Sequence, residues 1–573
     1  MKFFIGRRKL FITIGIFIFL LGFFGLAGVV RAASLGDVVN FNVDKGFDAS
    51  GRTQISSTLV KIGTRLYFYV EKTWWESQTS GKQGEILANL DNLSNEFDAN
   101  IYPKLTSSFG QEWNPGVDND PKITVLFESI NSTEGGYFRE ADEYEKLQLP
   151  ESNEREMLYL SVSNITDPSL KIILGHEFTH LITFNQKNKI FGMEEETWLN
   201  EARADYSSTV LGYDNPYIGS NLQQRVNNFI ENPSDSVAEW TGTKYDYASA
   251  SLFTHYLVDH YGVNILTDSL KSKHVGIDSI NYALQKSGFT DNFGQIFNNW
   301  TIASVLNDCS VGQEYCYLNP DLKNLRISPA LDFLPIAGDV SLSVSNVTKN
   351  WAGNWQKFIG GNGDLKLDFS SFKDFNFQVP YITEDSAGIH TIKFLKLDKD
   401  QKGEINISDF GTDIKSLIII PSLQTKSSGF DGPELTYPFS YTVKIIRKVT
   451  PDDQALMQQL LDQVAVLKQQ IAALQGQKNN LSSGSFCSQI NNNLSFGMTG
   501  GAVSCLQTFL KNQGANIYPE GLITGNFGSL TKSAVIRFQE KYASDILTPV
   551  GLSAGTGYVG AQTRIKINQI LNS

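Results

Sequence analysis

Histidine, methionine and cysteine are scarce in this chain of 573 residues, which contains 6 His, 5 Met and 4 Cys. Basic residues are also in the minority, with 48 Lys and Arg against 60 Asp and Glu, and the formal net charge at pH 7 is −12. A chain this acidic is a poor candidate for binding nucleic acid. Disorder of the whole chain is excluded, because hydrophobic residues make up 41% of it, and its length indicates several folded units.

The four cysteines fall into two local pairs. Cys309 and Cys316 are seven residues apart, and Cys487 and Cys505 are eighteen residues apart. Two local disulfides in an exported protein are the simplest arrangement, and reduced, buried thiols are the alternative. The sequence contains no Cys-x-x-Cys pattern, so the cysteines do not indicate a second metal site.

A long apolar run, from Leu10 to Val30, lies near the amino terminus. Basic residues precede it, and the small residues Ala32 and Ala33 follow it, which is the pattern of a secretory signal peptide over residues 1–32. The run is also long enough to cross a bilayer, so an uncleaved N-terminal membrane anchor is the alternative. In both cases we expect the bulk of the protein to lie outside the membrane.

Two of the six histidines stand in the sequence His176-Glu177-Phe178-Thr179-His180. Residues four apart in an α-helix are about 40° apart around its axis, so both imidazoles would project from one face. Two nitrogens placed in this way can bind one tetrahedral Zn²⁺. Glu177 flanks that face and is placed to act as the general base toward a water molecule activated at the metal. The alternative is a core helix with two hydrogen-bonded histidines.

The flanking sequence favours a helix at this motif. Asp167 and Pro168 offer a capping side chain followed by proline at the first helical position. Apolar residues then recur at helical spacing and predict a buried face beside the histidines: Leu170, Ile173, Leu174, Phe178 and Leu181.

A catalytic zinc site has three protein ligands and one open position, so a third ligand is needed. The stretch from Thr197 to Tyr206 also reads as a helix, and it carries Glu201 and Asp205 on one face. Here the sequence resembles the gluzincin metallopeptidases, and within them the hyicolysin-like family. The resemblance implies that Glu201 is the third zinc ligand and that Asp205 steadies His176 by a hydrogen bond. A solvated helix face is the alternative for this pair.

The same resemblance implies a Tyr or His that stabilises the oxyanion formed during peptide hydrolysis. Tyr247 is the candidate, with Tyr245, His255 and His260 as rivals in the same helical stretch. The alternative is that these aromatic residues are part of a core.

The fold class that we expect is α+β. The resemblance to the gluzincins implies that residues 33–330 form a two-lobed zincin-like metallopeptidase domain, whose upper lobe offers an edge strand to the substrate backbone. Residues 335–448 alternate strand-like runs with turns and predict a β-sandwich-like domain. Within it, Asp398 to Ile405 approaches a calcium-loop pattern, but Lys402 stands where an oxygen ligand is needed, which favours a β-turn.

Residues 449–484 predict a helix followed by a polar linker. Met457, Leu460, Val464, Leu467, Ile471 and Leu474 alternate three and four apart, as in a short coiled coil. The interpretation is either a weak homodimer through 457–474 or a lone spacer helix packed on a neighbour.

Residues 485–573 resemble a peptidoglycan-binding module of the three-helix kind. The resemblance rests on Leu494 to Gln507, Gly525 to Thr531, Ala534 to Gln539, and Gly557 to Gly560 with Thr563. It implies a core that includes Leu506, Val535 and Phe538, and peptidoglycan as a partner, although some such modules are only structural. The two resemblances together cover roughly residues 60–265 and 486–573.

Two classes of function follow. The first is a secreted, cell-wall-associated zinc endopeptidase that hydrolyses proteins or peptides, with cleavage of cell-wall cross-links as a variant. The second is a wall-binding surface or adhesion protein with an inactive peptidase lobe. The intact set of His176, Glu177, His180, Glu201 and Asp205 favours the enzyme.

Overall fold

The computed structural model describes residues 33–131, 135–336, 339–432, 434–446, 451–478 and 487–573. The predicted signal peptide or anchor, residues 1–32, lies outside these ranges. The chain divides into two units, Met1–Lys448 and Val449–Ser573. Within the described ranges, no helix combines the length and the apolar character that crossing a membrane requires.

A six-stranded sheet forms one layer of the first unit. Its strands are β1 (Val38–Asn42), β2 (Gln54–Ile62), β3 (Leu66–Glu71), β4 (Ile123–Glu128), β5 (Gly136–Phe138) and β6 (Met157–Ser161). The order across the sheet is β1-β2-β3-β4-β6-β5, with β3, β4 and β6 parallel and the other pairs antiparallel. Every residue of β3, β4 and β6 is buried, as expected for parallel strands that are covered on both faces.

Ten α-helices in the described part of the chain surround and follow this sheet. They are α1 (Lys72–Ser77), α2 (Ser80–Glu96), α3 (Tyr102–Phe109), α4 (Leu170–Thr183), α5 (Thr197–Leu211), α6 (Asn221–Glu231), α7 (Lys244–Tyr261), α8 (Asn264–Leu270), α9 (Gly276–Lys286) and α10 (Phe293–Leu306). Helices α2 and α3 are joined by one wider turn at Phe97–Ile101. Sheet and helices share one apolar core, so the mixed α+β class is confirmed.

Among the described residues, eleven strands follow α10. They are β7 (Ala330–Leu334), β8 (Val340–Thr348), β9 (Gln356–Gly360), β10 (Gly363–Ser371), β11 (Phe377–Gln378), β12 (Pro380–Asp385), β13 (His390–Phe394), β14 (Lys402–Phe410), β15 (Ile414–Ile419), β16 (Ser422–Leu423) and β17 (Tyr437–Ile446). Nine of them form one sheet around a core of their own, and β11 pairs only with β16. The stretch from Asp398 is a turn before β14, as predicted.

This sheet differs in one respect from the predicted β-sandwich. A sandwich has two separate sheets, whereas here the pair Phe410 and Ile414 joins β14 to β15 and makes the sheet nearly closed. Gly411 forms that corner with a φ of 91°, and a Cβ there would lie 2.1 Å from the carbonyl oxygen of Gly361. Only glycine tolerates such a contact, so a single residue permits the join.

The nine-stranded sheet and the helices are packed together through aromatic side chains. The ring of Trp351 lies 4.9 Å from that of Phe293 and 5.4 Å from that of Phe297, both on α10. Trp355 Nε1 donates a hydrogen bond of 2.8 Å to the carbonyl oxygen of Thr301. The predicted regions 33–330 and 335–448 therefore share a hydrophobic core and lie within one unit.

The second unit contains α11 (Pro451–Lys478), α12 (Gly501–Asn512), α13 (Ser529–Lys541), α14 (Ala543–Ile546) and α15 (Ala561–Leu571). On α11, apolar residues of the predicted coiled-coil face are about half exposed: Leu460, Val464, Leu467 and Ile471. The homodimer through 457–474 remains a prediction. The predicted core residues Leu506, Val535 and Phe538 are buried in the last domain. Both predicted disulfides, Cys309–Cys316 and Cys487–Cys505, are present.

Candidate metal centre

The histidine motif lies on α4, as its spacing predicts. Leu170, Leu174, Phe178 and Leu181 are buried, and Ile173 packs against the same core. The start of the helix differs from the prediction, because Ser169 is the residue before the first turn and Asp167 lies two positions earlier. Asp167 Oδ1 accepts a hydrogen bond from Ser169 N and closes the preceding turn instead.

Helices α4 and α5 pack closely enough to bring three donor side chains together. A Cβ on Gly175 of α4 would lie 2.7 Å from Leu211 Cδ1 of α5, so the missing side chain at Gly175 leaves room for Leu211. His176 Nε2 is 3.2 Å from His180 Nε2 and 3.2 Å from Glu201 Oε2. His180 Nε2 is 3.6 Å from Glu201 Oε1. The structure therefore gathers the three residues that the sequence nominates as zinc ligands.

The spacing of these donors fits a tetrahedral metal ion. With bonds of about 2.0–2.1 Å, two donor atoms around such an ion are about 3.3–3.4 Å apart. The observed separations of 3.2 to 3.6 Å bracket that distance. Two imidazoles and one carboxylate also match the ligand set of catalytic zinc sites, so the residues present fit the ion.

The pKa values of the donor residues indicate a site that attracts positive charge. Burial lowers the pKa of His176, but the carboxylates of Glu201, Glu177 and Asp205 outweigh it and raise that pKa to about 9. Burial, together with the charge of His176, lowers the pKa of His180. Burial would raise the pKa of Glu201, but the two imidazoles keep it below the ordinary value. The carboxylate therefore stays ionised and faces the imidazole nitrogens.

Asn200 is a member of the site that sequence reasoning missed. Its Oδ1 lies 3.1 Å from His180 Nδ1, on the side of the ring away from the other donors. A hydrogen bond donated by Nδ1 leaves Nε2 of His180 with its lone pair toward the metal position. The sequence shows only that Asn200 precedes Glu201. That position alone does not indicate that Asn200 contacts a ligand histidine.

Asp205 is buried one turn after Glu201, but its hydrogen bonds go elsewhere than predicted. Its carboxylate accepts bonds of 2.8–3.2 Å from Arg225 and one of 2.8 Å from Asn221 Nδ2. Arg225 lowers the pKa of Asp205 to about 2 against the effect of burial. Within the described residues no hydrogen bond joins Asp205 to His176, so its influence on that imidazole is through charge.

Tyr247, on the first turn of α7, borders the donor set, and its three rivals do not. The indole ring of Trp240 and the guanidinium of Arg225 contact it, at 4.8 Å and 4.7 Å from the centre of the phenol ring. Burial and the charges of Glu201 and Glu177 raise the pKa of Tyr247, so its hydroxyl keeps its proton.

The rival residues have other partners. Tyr245 donates to Glu231 Oε1 at 2.7 Å on the exposed side of α7. His260 Nε2 lies 2.9 Å from the carbonyl oxygen of Cys316. His255 is buried beside Thr209, and burial lowers its pKa to about 4.

Two cavities meet at the donor set. One has a volume of about 290 Å³ and the other about 500 Å³, and both are lined by Gly136, His176, Glu177 and Tyr247. The smaller cavity continues toward Glu140 and Glu194, whereas the larger continues toward Arg225 and Lys244. A cleft therefore runs past the donor set on both sides.

Strand β5 borders this cleft at the end of the six-stranded sheet. It pairs with β6 alone among the described strands, so its other side is an open edge. A Cβ on Gly136 would lie 2.7 Å from the carbonyl oxygen of Tyr159 and 3.1 Å from Ile173 Cγ2 of α4. Glycine thus allows the edge strand to lie directly against the helix that carries both histidines.

Comparison with known families gives one match, to the C-terminal domain. Residues 499–567 match the family described as "Putative peptidoglycan binding domain". These residues include α12, α13 and most of α15, the three main helices of the domain. The predicted peptidoglycan-binding module is therefore confirmed as a member of that family. A comparison with curated proteins finds no match.

Solved structures similar to parts of the chain include the mitogen of Yersinia pseudotuberculosis, which is 10% identical, with 20% of this chain and 92% of that chain covered and a TM-score of 0.15. The lysozyme inhibitor PliG of Aeromonas hydrophila is 10% identical, covers 21% of this chain and 100% of its own, and has a TM-score of 0.15. The pre-peptidase C-terminal domain of a Bacillus anthracis collagenase is 4% identical, with coverages of 20% and 96% and a TM-score of 0.14. Scores this low carry no argument about fold or function.

Proposed function

We propose that this chain is a zinc-dependent endopeptidase of the gluzincin type that acts at the cell wall. The observation that carries the proposal is the convergence of His176, His180 and Glu201 at tetrahedral spacing, with Glu177 beside them. Zinc held by these residues would polarise the substrate carbonyl and lower the pKa of a water molecule.

Glu177 is the general base in this proposal. Its side chain is 5% exposed and lines both cavities next to the donor set. From there it takes a proton from the attacking water and delivers it to the nitrogen of the leaving amine. Attack of the water oxygen forms the new C–O bond and leaves negative charge on the carbonyl oxygen. When the carbonyl re-forms, the C–N bond breaks, and the delivered proton makes the amine a neutral leaving group.

Tyr247 supplies the hydrogen bond to the oxyanion. Its raised pKa keeps the hydroxyl protonated, and its ring contacts both Arg225 and Trp240. A donor fixed in this way needs little rearrangement when negative charge develops on the attacked carbonyl oxygen.

The open edge of β5 supports binding of an extended peptide. A substrate strand added to that edge would run through the cleft, with its scissile bond beside Glu177. Since the cleft continues on both sides of the donor set, a chain can extend in both directions. This geometry favours cleavage within a chain over removal of terminal residues.

The C-terminal domain supports the cellular setting. A peptidoglycan-binding domain joined to a peptidase region would keep the enzyme at the cell wall and near substrates that are attached to it or pass through it. The cell wall is therefore the proposed location, and peptidoglycan the proposed anchor.

The test is casein hydrolysis by the chain from residue 33 onward, with zinc content measured on the same samples. We expect about one Zn²⁺ per chain, loss of hydrolysis with 1,10-phenanthroline, and recovery when zinc is restored. Glu177→Gln should keep the metal and lose about 10²–10⁴-fold in kcat, whereas the exposed Glu404→Gln on β14 should match the wild type. Comparable hydrolysis by Glu177→Gln would refute the mechanism.

A further inference from the structure

A second group of carboxylates converges where the helices meet the nine-stranded sheet, away from the histidines. One carboxylate oxygen from each of Asp235, Asp246 and Glu434 lies within 4.8 Å of the other two. The place is fixed by backbone contacts, since Val237 N donates to the carbonyl oxygen of Trp351 at 2.9 Å. We name these three carboxylates the acidic cluster.

Each member of the acidic cluster has a buried oxygen that lacks a hydrogen bond. These atoms are Asp235 Oδ2, Asp246 Oδ1 and Glu434 Oε1, and no group in the described ranges donates to them. Asp235 is 3% exposed and Asp246 is 1% exposed. Buried acceptors without donors are costly, and in native proteins they often mark an ion or an ordered water. The cluster therefore has unused coordinating capacity.

The protein supplies only part of the positive charge that the acidic cluster needs. Lys349 Nζ pairs with Asp235 and with Glu434. Asp246 has no such partner in the described part of the chain, and its Oδ2 accepts from the backbone of Thr243 at the start of α7. Burial raises the pKa of Asp235 to about 6, and the charges of Asp246 and Glu434 add to that effect.

We propose that Asp235, Asp246 and Glu434 form a binding site for a divalent cation, and that this cation is Ca²⁺. Carboxylate oxygens suit hard cations, and Ca²⁺ accepts irregular sets of ligands at about 2.3–2.6 Å. Oxygens up to 4.8 Å apart can share such an ion, whereas Mg²⁺ at about 2.0–2.1 Å demands a tighter octahedron. Lys349 repels the ion, so binding is weak, with a Kd of about 10⁻⁴–10⁻³ M.

The bound ion joins two regions that are far apart in the sequence. Asp235 and Asp246 come from the helical region, and Glu434 from the segment before β17. Calcium therefore stabilises the packing of the nine-stranded sheet on the helices and holds the first turn of α7.

The experiment is calorimetric titration of CaCl2 into the zinc-loaded chain from residue 33 onward, in buffer freed of calcium. We expect one saturable site, at least tenfold weaker binding of MgCl2, and a Tm that rises with calcium concentration. No saturable binding up to about 10 mM calcium would overturn the proposal, since that is well above the expected Kd.

Three variants locate the site. Glu434→Gln keeps the shape of the side chain and should weaken calcium binding at least tenfold, and Asp235→Asn should do the same. Lys349→Met removes the competing charge and should strengthen binding. Near-ultraviolet circular dichroism without calcium verifies that each variant is folded. If Lys349→Met does not fold, the two carboxylate variants are sufficient to test the location of the site.

The matched control is Asp400→Asn, in the exposed turn before β14 where the sequence approaches a calcium-loop pattern. It should bind calcium as the wild type does. Weakened binding in this control, or unchanged binding in folded Glu434→Gln and Asp235→Asn, would place the ion elsewhere and reject the acidic cluster as its site.

Discussion

Glu201 and Asp205 lie one turn apart on α5. Asp205 is buried and Glu201 lines the cavity, and their surroundings differ in charge. Asp205 is held by the guanidinium of Arg225, a cation that the chain itself supplies. Glu201 faces the imidazole nitrogens of His176 and His180 at 3.2 and 3.6 Å. One carboxylate is thus neutralised internally, and the other belongs to a donor set that suits an external ion.

The comparison teaches how a metal ligand can be told from a structural acid on the same helix face. Spacing alone does not tell which of Glu201 and Asp205 is the metal ligand, because both project from one side of α5. What separates them is the partner, since Arg225 occupies both oxygens of Asp205. Four predictions follow from this difference, in order of expected effect.

The largest effect is expected for Glu201→Gln. The variant removes the negative ligand while keeping the volume of the side chain, so zinc content should fall from about one per chain to a small fraction. Hydrolysis of casein should fall with it, because the chemistry depends on the ion. Metal analysis after dialysis measures this, and full zinc occupancy in the variant would remove Glu201 from the ligand set.

Tyr247→Phe should reduce kcat about 10²–10³-fold while zinc content stays at the wild-type value. The loss should fall on kcat with KM little changed, because the hydrogen bond forms with the oxyanion and not with the substrate carbonyl. Tyr245→Phe is the matched control, since that hydroxyl binds Glu231 on the exposed side of α7. Equal kcat values for the two variants would assign Tyr247 to the core.

Asn200→Ala should weaken zinc binding about 10–100-fold, because it loses the hydrogen bond to His180. Asp205→Asn should weaken it less, since Asp205 acts on His176 through charge alone. Only Asp205→Asn should also destabilise the protein, by about 3–5 kcal/mol, since it leaves the buried charge of Arg225 unpaired. Zinc competition titrations and urea unfolding separate the two effects. Equal stability of the two variants would show that Arg225 does not need Asp205.

The smallest effect on catalysis is expected from deletion of residues 486–573. Hydrolysis of a soluble peptide should stay within about twofold of the full-length value, because the donor set lies wholly in the other unit. Sedimentation with purified peptidoglycan should be lost. Equal sedimentation of both proteins would mean that the domain of 499–567 does not anchor this chain.

Much of the fold and of the donor set could be predicted because local pattern determines them. The histidine spacing, the apolar face of α4 and the acidic pair on α5 depend on helical periodicity, which is visible in the sequence. The strands β3, β4 and β6 are also visible in the sequence, as short apolar runs.

The features of the fold and of the site that could not be predicted depend on contacts between distant segments. Arg225 meets Asp205 across 20 residues and between two helices, and no spacing rule connects them. Asn200 acquires its role only once α4 and α5 are packed. The joining of β14 to β15 depends on Gly411 meeting Gly361, a contact that propensity does not encode.

The packing of Trp351 against Phe293 and Phe297 has a consequence for how such chains can be recombined. A chain cut near residue 330 would leave these aromatic rings facing water, at a cost of about 1.5–3 kcal/mol for each large side chain. That cost is a large part of the free energy of unfolding of an ordinary domain. The nine-stranded sheet must therefore be inherited together with the helices, whereas the C-terminal domain, which has its own core, can be exchanged as a separate module.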